Sequence, residues 1–333
     1  MSGVSFSVAI IGGGLCGLAL AIGLSKRNIP YTIYEARSSF TEIGAGLNLG
    51  PNSFHAFEAI DPSLKEHVLN LATRNEPGRE DVWMNIRLGA ATSRFPDAHL
   101  VTSIHAPPTG NMTLTRNELL QLLAKSIDSE RAKFNKKVSE IHQNDQGVTI
   151  TFADGTTEHA SALIACDGAH SIVRRNMLGS EHSASTAKYT GSGVYRAVLP
   201  KEQVVDLLGA DKAHSSQIFS VANSYMIMYP IDGGKNVNFG LWGRRRGEWT
   251  NDSWVIDDQK EQMLKDFDNA GPSIKAIMEV MSDKTQFWAG FHYTAYPDHY
   301  FDGRVCLIGD AAHAMSPHRG RYMSPVDHRY YSY

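Results

Sequence analysis

The chain has 333 residues, which predicts about two domains and a core that needs no disulfide or metal staple. Apolar residues make up 42% and charged residues 20%, a mix that excludes a disordered or collagen-like chain. With 32 Lys+Arg against 35 Asp+Glu the net charge is −3, so no field draws a phosphate backbone and a nucleic-acid partner is not expected.

Residues 6–11 read as a short strand running into glycines, Leu15–Lys26 as a helix stopped before Pro30, and Tyr31–Tyr34 as a second strand. This βαβ order predicts a parallel sheet. The uncharged run 8–24 is short for a span of about 20 residues. It also carries Gly12, Gly13, Gly14, Gly17 and Gly23 and lacks the positive flank of a secretory leader, so no membrane segment is expected. Cys16, Cys166 and Cys306, with no C-x-x-C pair, read as reduced thiols in the cytoplasm.

Asn52 opens an amphipathic stretch with Phe54, Phe57 and Ile60, and residues 75–110 read as strands and loops. Thr115-Arg116-Asn117-Glu118 fits a capping box ahead of Leu119, Leu120, Leu122 and Leu123. Residues 148–152, a turn at Asp154-Gly155 and residues 162–166 read as antiparallel strands. From about 185 to 300, aromatic strands at 194–198, 225–229 and 237–242 interrupt helices near 257–269 and 273–281. Residues 305–308 return as a short strand ending in Gly309-Asp310.

Gly12-x-Gly14-x-x-Gly17 lies between the first strand and its helix. Gly12 permits the tight turn, Gly14 lets backbone approach a pyrophosphate, and Gly17 lets the helix pack on the sheet. The helix N–H groups and the positive end of its dipole then face the phosphates. Glu35 follows eighteen residues after Gly17, at the end of the second strand, where a carboxylate accepts from ribose hydroxyls. That acid argues against NADP and leaves NAD or the ADP half of FAD; a glycine turn without a ligand is the bland alternative.

Two further segments separate those cofactors. Asp167-Gly168-Ala169-His170-Ser171 with Val173-Arg174 follows one strand, and Gly309-Asp310-Ala311-Ala312-His313 follows another. A strand ending in Gly-Asp brings a carboxylate to sugar-like hydroxyls, which the ribityl chain of FAD has and NAD lacks. Asp-Gly alone more often marks a turn. Together with Arg116 at a helix start and Glu42-Ile43-Gly44-Ala45-Gly46, the set points to FAD.

On these residues the chain resembles the single-component FAD-dependent aromatic hydroxylases, in the salicylate hydroxylase-like branch common in fungi. The resemblance covers about residues 5–320. The family's dinucleotide fingerprint matches Gly12, Gly14, Gly17 and Glu35, and its E-[IL]-G-A-G segment matches Glu42 through Gly46. Its FAD-contacting arginine matches Arg116, its D-G motif Asp167-Gly168, and its G-D motif Gly309-Asp310 through Pro317. The implied architecture is α/β: a Rossmann-like FAD-binding domain with a parallel sheet (1–184 and 301–333) and an inserted substrate domain on a mainly antiparallel sheet (185–300).

The chain is also similar to fungal phenol hydroxylases that act on polyketides, whose substrate-side arginine and tyrosine fall on Arg196 and Tyr229. An arginine stays protonated and would hold a phenol as phenolate, enriching the ring carbon to be attacked. A tyrosine gives a hydrogen-bond handle in an apolar pocket. Each has an ordinary alternative, since Tyr-Pro on a strand also packs cores and arginine among apolar residues also forms ion pairs. The resemblance implies NAD(P)H as co-substrate, O2 as oxidant, a flavin C4a-hydroperoxide and a small phenolic or salicylate-like aromatic as substrate, with the protein orienting the partners and excluding water. A flavin-dependent epoxidase of alkenes shares these motifs and stays open, as does a flavin-binding remnant without turnover.

Fourteen histidines show no H-x-H or H-E-x-x-H, so no metal site is expected. Arg244-Arg245-Arg246 beside Gly243 and Gly247 reads as a solvated hairpin end. After Asp310 the family continues P-x-x-G-x-G into a long helix; here Pro317 and Gly320 match, Tyr322 replaces the next glycine, and Arg319 and Arg321 replace small residues. The tail shows no apolar periodicity, so the expectation is a shortened product that lacks the family's C-terminal helices.

Overall fold

The structure, a computed structural model, describes residues 6–41 and 46–315. The first half runs β1 (Val8–Ile11), α1 (Leu15–Lys26), β2 (Tyr31–Tyr34), β3 (Gly46–Leu49), α2 (Pro51–Ile60), α3 (Pro62–Leu71), β4 (Val82–Leu88), β5 (Leu100–His105), β6 (Met112–Thr115) and α4 (Arg116–Lys125). There follow β7 (Ala132–Lys133), β8 (Val138–Asn144), β9 (Gly147–Phe152), β10 (Thr157–Ala160), β11 (Ala162–Ala165) and α5 (Ile172–Leu178). The long β12 (Lys188–Pro200) then leads into α6 (Lys201–Leu208), α7 (Ala210–Ala213), β13 (Gln217–Val221), β14 (Ser224–Ile231) and β15 (Asn236–Arg244). The chain closes with β16 (Val255–Ile256), α8 (Lys260–Asp266), α9 (Pro272–Val280), β17 (Phe287–His292), β18 (Phe301–Asp302), β19 (Val305–Leu307) and α10 (Asp310–His313).

A six-stranded sheet in the order β18-β19-β11-β1-β2-β7 is parallel from β19 to β7. All four residues of β1 are buried, as a strand covered on both faces requires. Val8 and Ile10 face the cluster of α1, α2, α3 and α4, while Ala9 and Ile11 face Val148, Ile150 and Phe152 of the small sheet β10-β9-β8. Helix α1 ends in a Schellman turn: Asn28 takes φ 53°, its N–H reaches the Ser25 carbonyl, and the Ile29 N–H reaches that of Leu24. The expected capping box is present at α4, where Thr115 Oγ1 accepts from the Glu118 N–H at 3.1 Å and Glu118 Oε2 accepts from the Thr115 N–H at 2.7 Å.

An eight-stranded sheet in the order β16-β17-β12-β15-β14-β13-β4-β5 packs one face on α6, α8 and α9. It is antiparallel except where β4 meets β13. Two expectations change. The hairpin β4–β5 lies inside the span 1–184 assigned to the first domain, yet it supplies two strands of this second sheet. Residues 162–166 were expected in an antiparallel hairpin; the turn at Asp154-Gly155 instead joins β9 to β10, and β11 enters the main sheet parallel to β1. Among the described residues no helix is long and apolar enough to cross a membrane.

Candidate active site

The parallel strands end on one edge of the main sheet, and most of the sequence-predicted cofactor residues lie there. Gly12 follows β1 with φ 100°, and a Cβ on it would sit 2.5 Å from the Cys166 carbonyl oxygen. A Cβ on Gly17 would overlap the Gly12 carbonyl oxygen, so the helix can approach this closely only with glycine there. Gly14 is the N-cap of α1, with no side-chain cap and no acid in the first turn. The space beside Gly14 holds no atom within 4 Å of a built Cβ, so the leading N–H groups face an opening. Glu35 stands at the end of β2, where Oε2 accepts from the Gly13 N–H at 2.7 Å and Oε1 from the Arg37 N–H at 2.8 Å.

Asp167 follows β11. Its Oδ2 accepts from the N–H groups of Ile172 (2.9 Å) and Val173 (3.2 Å), while Oδ1 is buried without a partner among the described residues. Burial raises this carboxyl above its ordinary pKa. Asp310 opens α10 behind Gly309, and a Cβ on Gly309 would lie 2.7 Å from Cys16 Sγ in the first turn of α1. The Gly-Asp segment and the glycine turn are thus in contact, within reach of one extended ligand. Arg116 heads α4, one residue past the Thr115↔Gly46 pair of the ribbon β3-β6.

These residues fit FAD: an uncapped helix N-terminus for a diphosphate, a carboxylate fixed at the ribose position, and an orphaned carboxylate oxygen that a hydroxyl would satisfy. Glu42 through Ala45, and Pro317, Arg319, Gly320, Arg321 and Tyr322, lie outside the described residues. Cys16 and Cys166, distant in sequence, pack together; the hydrogen bond between them lowers the Cys16 thiol and raises that of Cys166.

Arg174, in the first turn of α5 just after the Asp-Gly segment, ties that segment to α10. It is wholly buried and donates from Nε to the Ala184 carbonyl (2.6 Å) and from Nη1 to the carbonyls of Ala311 (2.9 Å) and Ala312 (2.6 Å). Its guanidinium lies 3.7 Å from the centre of the Tyr293 ring.

The other face of the eight-stranded sheet floors a cavity of about 380 Å³. Side chains alternate along each strand. Met226 and Met228 enter the core, while Tyr225, Ile227 and Tyr229 face the cavity. Tyr195 enters the core, while Val194 and Arg196 face the cavity. A bulge between Val82 and Met84 lets consecutive residues Trp83 and Met84 both reach it. Arg196 and Tyr229, named from sequence as the substrate pair, therefore line one space.

Strand β3 forms the facing wall. A Cβ on Gly46 would lie 2.7 Å from the Tyr229 hydroxyl, and the Gly46 N–H donates to Asn238 Oδ1 at 3.2 Å. The segment expected beside the flavin thus touches the expected substrate tyrosine. Trp288, not singled out from sequence, lies 4.6 Å beneath the Arg196 guanidinium. The pairing Val194↔Trp288 places it there, a signal visible only once the register is known.

The reading of Arg244-Arg245-Arg246 as a solvated end needs correction. Arg245 turns inward, donating from Nη2 to the Tyr195 hydroxyl (2.9 Å) and to Gln259 Oε1 (3.0 Å), over the Phe287 ring at 4.0 Å. Burial, with the Asp266 carboxylate, pushes the Tyr195 hydroxyl well above its ordinary value.

The FAD binding domain family matches residues 5–322. A 6-methylsalicylate 1-monooxygenase from Aspergillus terreus is 35% identical over 94% of this chain and 70% of its own length. A salicylate hydroxylase from Sarocladium schorii is 31% identical over 94% of this chain and 67% of its own. Among solved structures, a salicylate hydroxylase substrate complex superposes with a TM-score of 0.82 at 28% identity, over 95% of this chain and 75% of that one. The glycine turn, the Asp-Gly and Gly-Asp segments and these relatives agree, and the chain belongs to the FAD binding domain family as an FAD-dependent monooxygenase.

Proposed function

We propose that this protein is an NAD(P)H- and O2-dependent hydroxylase of a phenolic or salicylate-like aromatic. The observation that supports it most is the placement of Arg196 and Tyr229 on one cavity floor, with Gly46 of the flavin-side segment against Tyr229. In this reading Gly12, Gly14, Gly17, Glu35, Gly46, Arg116, Asp167 and Asp310 hold FAD. The FAD domain takes residues 1–184 and 301–333 except the β4–β5 hairpin, which joins the substrate domain 185–300. The three unbridged cysteines agree with work in the cytoplasm.

Bound FAD supplies the redox chemistry, accepting hydride from NAD(P)H and activating O2 for transfer of one oxygen atom. The protein's own groups prepare the aromatic. Arg196, seated on Trp288, offers a fixed positive charge to a phenolic oxygen or an adjacent carboxylate. Holding that oxygen as an anion enriches the ring carbons ortho and para to it. The buried Tyr229 hydroxyl gives a second polar anchor beside Arg196 on the floor. Ile218, Ile227 and Trp242 leave little for water to bond to around the reacting carbon.

The test is turnover by the purified FAD-loaded protein with NADH or NADPH and a panel of phenols, with products identified by mass spectrometry. A product one oxygen heavier, formed with substrate-stimulated NAD(P)H oxidation, is expected. Absence of stimulation across the panel overturns the proposal.

A further inference from the structure

Strand β3 reads Gly46-Leu47-Asn48-Leu49. Leu47 and Leu49 enter the first core cluster, so alternation turns Gly46 and Asn48 toward the cavity. Asn48 Oδ1 is buried and accepts no hydrogen bond among the described residues. Thr113, the cross-strand partner of Asn48, turns its hydroxyl away and donates it to the Pro230 carbonyl. An orphaned buried acceptor bears its desolvation penalty unless something satisfies it. A leucine would suit an apolar wall better.

The geometry points to Asn48 as a specificity-determining residue that accepts a hydrogen bond from a second hydroxyl of the aromatic substrate. The inference rests on the hydroxylase reading and narrows it. The substrate turns its salicylate-like edge, adjacent carboxylate and hydroxyl, to Arg196 and Tyr229 on the floor and a second hydroxyl, elsewhere on the ring, to Asn48 on the facing wall. The cavity, about 380 Å³, exceeds the ~150 Å³ that suffices for a bare benzene ring, so a polysubstituted ring fits. Trp83, Tyr225 and Trp242 offer flat faces to such a ring.

The test compares dissociation constants of the FAD-loaded protein for salicylate and for the isomeric dihydroxybenzoates, by calorimetry and by quenching of tryptophan emission. Wild type is expected to bind at least one dihydroxy isomer roughly tenfold tighter than salicylate, about 1.4 kcal/mol. Asn48→Leu, with Asn48→Ala as a second variant should leucine misfold, is expected to abolish that preference while leaving salicylate within twofold. FAD affinity, read by flavin fluorescence, should not change. The ligand-free variant should melt no lower than wild type, since an unpaired acceptor has been removed. Preference that survives substitution, equal weakening of both ligands, or a loss of FAD affinity that assigns the amide to the cofactor each overturns the inference. Binding of salicylate without any dihydroxy preference in wild type also defeats it while leaving the hydroxylase reading intact. Failure of the wild type to bind any phenol defeats the hydroxylase reading itself.

Discussion

Replacing Arg174 by methionine tests how the Asp167 and Asp310 segments are held in register. The wild-type side chain is fully buried, and its three hydrogen bonds, at 2.6, 2.9 and 2.6 Å, run to main-chain carbonyls rather than to a carboxylate. Bonds from a charged donor contribute about 1.5–3 kcal/mol each, so three amount to roughly 4–9 kcal/mol gross. The stack on Tyr293 adds about 1–2 kcal/mol. Several kcal/mol of guanidinium desolvation offset this, and methionine recovers part of the packing. The difference is a net loss of about 3–4 kcal/mol, beyond the typical point mutation. Helix α10, one turn long, cannot hold itself once its C-terminal carbonyls lose their donor.

The expected result is a lower urea midpoint with an unchanged slope and a melting temperature reduced by about 5 °C. FAD should dissociate earlier in the melt than in wild type, because Asp310 moves with α10. Arg174→Lys keeps the charge without the planar fork and should recover less than half of the loss. A methionine variant within about 0.5 kcal/mol of wild type, or a lysine variant equal to it, refutes the reasoning.

Removing the carboxylate with Glu35→Ala should weaken FAD binding about 10–100-fold, roughly 1.4–2.7 kcal/mol, and free the Gly13 and Arg37 N–H groups it now holds; flavin fluorescence titration measures this. Arg196→Ala should lower kcat/KM for phenols about 100-fold while leaving FAD affinity unchanged, and an unaltered kcat/KM would remove Arg196 from the substrate site. Burial, which outweighs the nearby Arg174 charge, pushes the Tyr293 hydroxyl up to about 12. The folded state therefore keeps this proton to higher pH than the unfolded state, so stability is whole below about pH 10 and erodes by ~2–3 kcal/mol as pH rises toward 12. Tyr293→Phe should flatten that alkaline limb, despite losing the 3.1 Å bond to the Ala169 carbonyl, and identical limbs in urea titrations would contradict the assignment.

What could be read from sequence was local. The glycine turn of β1–α1 and the Thr115 capping box are each decided within a few residues. The β4–β5 hairpin joins the second sheet because Asn85 pairs with Gln217, a contact with no local trace. Residues 162–165 looked like a hairpin partner because the turn at Asp154-Gly155 does close a hairpin; Thr157–Ala160 fills that place, and the chain then crosses to the main sheet. Three consecutive arginines suggest solvent, yet the Arg245 N–H bonds to the Gly191 carbonyl and its side chain turns in to Tyr195.

The cavity was hidden for a different reason. The run Tyr225-Met226-Ile227-Met228-Tyr229 shows no polar alternation, because one face is covered by helices and the other lines a cavity to which this strand contributes only apolar and aromatic side chains. Arg196 and Tyr229 emerged from a family resemblance, and only the register Arg196↔Gly240 and Tyr229↔Asn238 puts them on a common face. A slip of one residue would send Tyr229 into the core and Met228 into the cavity. The same pairing that packs Met226, Met228 and Phe239 against the helices therefore aims the proposed substrate residues. Overpacking that shifts β14 should be felt at the cavity before the fold fails, whereas equal substitutions in the β10-β9-β8 sheet, which packs on β1, β11 and α10 and shares no strand with the cavity, should be felt at FAD affinity and stability first.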